Sequence, residues 1–116
     1  MKRESIIKML GNKNNYTIEY LNKVIKEDIS ILPKKIKNVI KNAIEIRLVK
    51  DPIGFGKPLQ FSLKGHRRLR VGNYRIVYRI ENDCNKILIV AIKHRKNVYE
   101  KNIILRTKKF PATSIQ

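Results

Sequence analysis

The sequence has one cysteine, no tryptophan, two histidines and only nine acids in 116 residues. A single cysteine, Cys84, excludes a disulfide framework and a thiolate metal site. Two histidines and scattered acids make no cluster for a zinc or di-metal centre, so neither metal nor cofactor is expected. No apolar run approaches the roughly 20 residues of a membrane span. The basic start of the chain has a short apolar patch but lacks the long core and small-residue cleavage site of a signal peptide. The expected compartment is the cytoplasm, with no membrane partner.

Positive charge is what the sequence has in excess. Lys and Arg number 27 against nine Asp and Glu, a formal charge of +18. The chain is also 42% hydrophobic, too apolar for a disordered basic tail. The length suits one domain. A folded domain that repels itself this strongly implies a polyanionic partner: nucleic acid, an acidic protein segment or an anionic membrane.

The hydrophobic period divides the chain. Residues 1–14 read as a basic lead-in that ends in the breaker cluster Gly11-Asn12-Lys13-Asn14-Asn15. Tyr16, Ile18 and Tyr20 alternate with polar residues and predict a short strand over 16–20. Leu21, Val24, Ile25, Ile29 and Leu32, then Ile36, Val39, Ile40, Ala43, Ile44 and Leu48, recur at helical spacing. Pro33 separates the two stripes and Asp51-Pro52 stops the second, which predicts a helical hairpin over 23–50. Pro52, Gly54, Gly56, Pro58 and Gly65 mark 51–65 as a connecting loop.

The period then changes to two. Strands are predicted over 67–71, 74–81 and 86–93, the first two joined by the hairpin turn Gly72-Asn73. The third is almost wholly apolar in its middle, as a central strand is. A short helix is predicted over 97–106, with a tail to 116. The expected fold class is α+β: an N-terminal strand and a helical hairpin packed on one face of a small, mostly antiparallel, four-stranded sheet. The opposite face is expected to be free.

Alternation points His66, Arg68 and Arg70 to one face, and Arg75 lies just past the turn. The third strand runs into His94, Arg95 and Lys96, with Tyr99 close behind. Uncompensated arginines crowded on one face are costly unless an anion visits, so the cluster predicts phosphate binding. A tyrosine beside it is placed to stack on an unpaired base.

These residues carry a resemblance. Lys57-Pro58-Leu59, Leu63-Lys64-Gly65, the run Arg68-Leu69-Arg70-Val71-Gly72-Asn73-Tyr74-Arg75-Ile76-Val77-Tyr78-Arg79-Ile80 and then His94-Arg95-Lys96-Asn97-Val98-Tyr99 resemble the RelE/ParE superfamily of toxin–antitoxin toxins, the RelE branch most of all. The resemblance spans 15–100, leaving 1–14 as an extension and 101–116 as a C-terminal helix and tail. It implies a RelE-like fold, a toxin that cuts mRNA in the ribosomal A site against rRNA, and an acidic antitoxin that covers the site; the free toxin is expected to be a monomer. It implies that Arg75 is the transition-state arginine, Arg95 the basic residue at the end of the last strand, and Tyr99 the residue that stacks on the substrate base. His66 and Arg68 stand where better-known members have two lysines.

Arginine does not deprotonate at neutral pH, so His66 is the expected general base, with His94 as the alternative. Arg68 and Arg75 are expected to hold the phosphate and Arg95 to face the leaving oxygen. Arg67, Arg70, Lys93, His94 and Lys96 make up the expected RNA-binding set. Two other readings compete: a ParE-like toxin that inhibits DNA gyrase by binding it, and a degenerate, inactive toxin.

Overall fold

A computed structural model describes residues 16–97 and 100–108. The lead-in over 1–14, Tyr99 and the end of the tail fall outside the described residues. Five strands form one sheet in the order β1-β5-β4-β3-β2. They are β1 Thr17–Tyr20, β2 Lys57–Pro58, β3 Arg67–Val71, β4 Tyr74–Glu81 and β5 Lys86–His94. β1 runs parallel to β5 and the other pairs are antiparallel.

The helical hairpin lies between β1 and β2 in sequence. Its first arm, α1, is a wide π-type coil over Val24–Ile29. Its second, α2, runs over Lys34–Ala43 and widens into a π-type turn at Ile44–Leu48. Most of the apolar stripe is buried, namely Leu21, Val24, Leu32, Ile40, Ala43, Ile44 and Leu48, with Ile29 and Ile36 half-buried, but Ile25 and Val39 are exposed.

The loop expected over 51–65 is more structured than its glycines and prolines suggested. Asp51 caps a single turn, α3 Pro52–Phe55, by accepting from the Gly54 N–H at 2.9 Å, with Pro52 in the first helical position. β2 adds a fifth strand at the sheet edge, and a 3₁₀ turn covers Phe61–Leu63. Gly56 is required by close approach, because a Cβ there would sit 1.7 Å from the hydroxyl of Tyr78. That hydroxyl donates to the Pro52 carbonyl and pins α3 to the sheet.

β5 is flanked by β1 and β4, and Ile87 to Ile92 are buried without a break. Such a strand needs cover on both faces. The register puts Leu69, Ile76, Tyr78, Ile87, Ile89 and Ile92 on one face and Val77, Leu88 and Ala91 on the other. The second face is therefore only partly free, against expectation. The final helix, α4 Glu100–Lys108, touches β5 and the Phe61–Leu63 turn. Leu63 and Ile103 join Val77, Leu88 and Ala91 in the core. What stays open is the end of that face nearest the β3–β4 turn.

Candidate nucleic-acid interface

Arg70 lies directly opposite Arg75, and Arg75 directly opposite Lys93. Opposed residues share a face, so the three form a row across β3, β4 and β5. Arg68, opposite Val77, is on the same face two residues from Arg70. Like charges so placed repel one another. No carboxylate pairs with Arg68, Arg70, Arg75 or Arg95 among the described residues.

Arg75 is held by the turn beside it. Its Nη1 donates to the carbonyls of Gly72 and Tyr74, both at 3.1 Å. Gly72 takes φ +57° while Asn73 keeps a negative φ, the glycine-first pattern of a type II′ hairpin. The Arg95 N–H donates to the Asn73 carbonyl at 2.7 Å and docks the end of β5 against the same turn. Desolvation, and then the charges of Arg70, Arg68 and Arg95, lower the pKa of Arg75, although arginine stays protonated. The result is a preorganised cationic surface able to take a phosphate on several guanidinium forks.

Other expected site residues lie elsewhere. His66 is only 7% exposed and neither ring nitrogen has a hydrogen-bond partner among the described residues. Burial lowers its pKa, helped by the charge of Arg79 and opposed by the Leu63 and Lys64 carbonyls and Glu81. The imidazole is neutral at pH 7 but closed off from a phosphate on the arginine row, so His66 is not retained as the general base. Arg67 faces the helices, where its Nη2 donates to the carbonyls of Ile53 at 2.7 Å and Gly56 at 2.9 Å. Its guanidinium serves the last turn of α3, and Arg67 leaves the RNA-binding set.

His94 pairs with Tyr74 on the helix side, the rings edge-to-face at 5.3 Å. Its Nδ1 accepts from the Lys96 N–H at 3.2 Å. Lys96 is exposed in the turn Arg95–Asn97, where β5 ends. Tyr99 lies outside the described residues.

Lys93 is the one member of the row with a counter-ion: its Nζ is 2.9 Å from the carboxylate of Asp28. Asp28 is 1% exposed and also accepts from the Ile92 N–H at 2.8 Å and from Arg106 of α4. Arg106 in turn donates to the Val90 carbonyl at 3.1 Å. β1 ends at Tyr20, opposite Ile89, so beyond that point β5 has no strand on this side among the described residues. The two side chains satisfy the backbone groups that a longer β1 would have paired. Burial would raise the pKa of Asp28, but the hydrogen bonds from Arg106, Ile92 and Lys93 outweigh it and hold the carboxyl below its usual range.

Residues 18–99 match the family described as the ParE toxin of the type II toxin–antitoxin system parDE. The chain belongs to this toxin family. Over 86 residues it is 29% identical to toxin RelG of Mycobacterium tuberculosis, covering 74% of this toxin and 98% of that one. Over 75 residues it is 33% identical to toxin RelE of the same organism, covering 65% of this toxin and 77% of that one. Among solved structures, the M. tuberculosis toxin–antitoxin complex RelBE2 superposes with a TM-score of 0.66 at 29% identity, over 72% of this chain and 94% of that one. A mutant of E. coli toxin RelE in the free state shares the fold, with a TM-score of 0.60 at 14% identity over 84% and 99% of the two chains. The RelE-like fold expected from the motifs is thus the observed one.

Proposed function

We propose that this toxin cleaves mRNA in the ribosomal A site and that an acidic antitoxin neutralises it by covering the arginine face. The observation that carries this reading is Arg75, fixed by two backbone carbonyls between Arg70 and Lys93 with no acid among the described residues to balance it. The resemblance to toxins RelG and RelE, and to a RelBE2 complex solved with its antitoxin, supports the same assignment.

The 2′-oxygen of the substrate attacks the adjacent phosphorus and loses its proton. The bond from phosphorus to the 5′-oxygen breaks, and that oxygen takes up a proton. A 2′,3′-cyclic phosphate and a 5′-hydroxyl result, and no metal takes part. Arg75 and Arg68 hold the phosphoryl oxygens as negative charge grows on them. Arg95 faces the leaving oxygen, and Tyr99 stacks on the base at the cut. Among the described residues no unpaired carboxylate lies on the arginine row, His66 is buried and His94, the other candidate base, is on the opposite face with Tyr74, so the protons pass to and from solvent or the ribosome. Such a site works through charge and positioning, and is slow on free RNA.

The test is to express the toxin and map the 5′ ends of cellular mRNA. New ends inside translated codons support the reading. Growth arrest with DNA damage and intact mRNA would assign the toxin to gyrase instead, and absence of any phenotype would mark it as degenerate.

A further inference from the structure

A pocket of about 310 Å³ opens where the helical hairpin meets the end of the sheet. Ile31, Leu32 and Ile92 line it with apolar surface, and Ile31 is 76% exposed. Tyr74 and His94 supply aromatic edges locked at 79° to one another, and Asn97 and Lys93 supply polar groups. Asp28, at its base, is already engaged by Arg106, Lys93 and the Ile92 N–H. The pocket opens on the helix side of the sheet, at the same end as the arginine row, and Lys93 of that row reaches its edge. Tyr74 and Arg75 are consecutive in β4, and the Arg75 guanidinium folds back onto the Tyr74 carbonyl. A phosphate held by Arg75 therefore sits beside the rim around which a nucleotide turns to reach the pocket.

We infer that this pocket takes the nucleobase next to the scissile phosphate and sets the toxin's base preference. A base has flat apolar faces and a polar edge. The pocket offers apolar walls for the faces, with Asn97 and the free Nε2 of His94 for the edge. His94 Nδ1 is occupied by the Lys96 N–H, which leaves Nε2 as the ring nitrogen available to a ligand. The volume is at the low end of the range for small-molecule sites and is ample for one base. The inference rests on the cleavage reading above, which is tested separately through Arg75.

The experiment uses ribosomes programmed with A-site codons that differ at one position. Wild-type toxin should prefer one base by roughly tenfold or more, the size of effect that hydrogen bonds to a base edge produce. Ile31→Trp fills the pocket from an exposed position that the fold does not need. It should erase the preference and slow the best codon by roughly the same factor. Asn97→Ala should narrow the preference, whereas Arg75→Ala should slow every codon alike. Preference unchanged in both pocket variants overturns the inference while leaving the arginine row standing. So does an Ile31→Trp variant that only weakens antitoxin binding, since the pocket would then belong to the antitoxin.

If wild-type toxin cuts no codon, the cleavage reading fails and the pocket is judged by NMR. Nucleoside 5′-monophosphates titrated into the free toxin should shift the methyl signals of Ile31 and Ile92, and one base should bind more tightly than the others. Methyl signals that stay in place with all four nucleotides overturn the pocket.

Discussion

Asp28 and Arg106 meet in a two-pronged ion pair, Nη1 to Oδ2 at 2.8 Å and Nη2 to Oδ1 at 2.9 Å, and between them they complete the open edge of β5. Breaking such a buried pair from one side leaves a charge without a partner. Asp28→Asn should destabilise the toxin by about 3–5 kcal/mol, measured by urea unfolding at pH 7. The folded-state pKa of Asp28 lies below the unfolded value near 4. Its stabilisation is therefore complete above that value and is lost as pH falls through the lower, folded pKa. The acid limb of stability should be shallower in Asp28→Asn than in wild type.

Arg75 should be the most sensitive position for activity. Arg75 is only half-buried and lies outside the core cluster, so Arg75→Ala should fold and melt like wild type. Loss of one preorganised donor costs about 10²–10³ in rate, or roughly 3–4 kcal/mol. Single-turnover cleavage on programmed ribosomes reads this directly. Arg75→Lys should recover only part of the loss, because an ammonium cannot hold a phosphate as a fork.

His66 makes stability depend on pH near neutrality. Its folded pKa is lowered, so the unfolded chain takes up the proton first. The neutral, buried form is fully stable above the unfolded value of about 6.5, and stability falls as pH drops below it. Urea midpoints measured from pH 7.5 to 5 should fall in wild type and stay nearly flat in His66→Leu. That variant also removes two buried, unpartnered nitrogens, and should be the more stable protein at pH 5 by about 1–3 kcal/mol.

Antitoxin association should be steered by charge. Stopped-flow rates should fall roughly tenfold or more from low to high salt. Arg68→Glu and Arg70→Glu should slow association, with a smaller effect on dissociation. A rate that ignores salt would place the antitoxin away from the arginine face.

Much of this architecture was legible because burial leaves a period behind it. The helical stripes around Val24 and Ile40, and the unbroken run Ile87–Ile92, follow from the faces they bury. The ends of elements were less legible. β2, only two residues long, has no period to read. The arginine row was readable from alternation in β3 and β4, but its third strand was not. β5 carries an extra residue, Val90, because Tyr78 pairs with Ile89 while Val77 pairs with Ala91. That bulge puts Lys93 beside Arg75 and sends His94 to the other face. Asp28 leaves a trace, an acid within an apolar stripe, but its partner lies 78 residues away. The burial of His66 depends on a packed loop and gives no local sign at all.

The distance between Asp28 and Arg106 also bears on how the chain comes to be folded. β1, made early, finds its strand partner in β5, as Thr17 pairs with Lys86. α1 follows β1 and carries a carboxylate whose guanidinium partner is not made until residue 106. A chain emerging from its N-terminus can form β3 and β4 as a local hairpin, but neither β1 nor Asp28 can settle until β5 and α4 have been synthesised. Closure of the sheet is therefore a late event that joins the two ends of the domain. Folding should be slow for a protein of this size, because so many of the contacts that complete the fold are far apart in sequence.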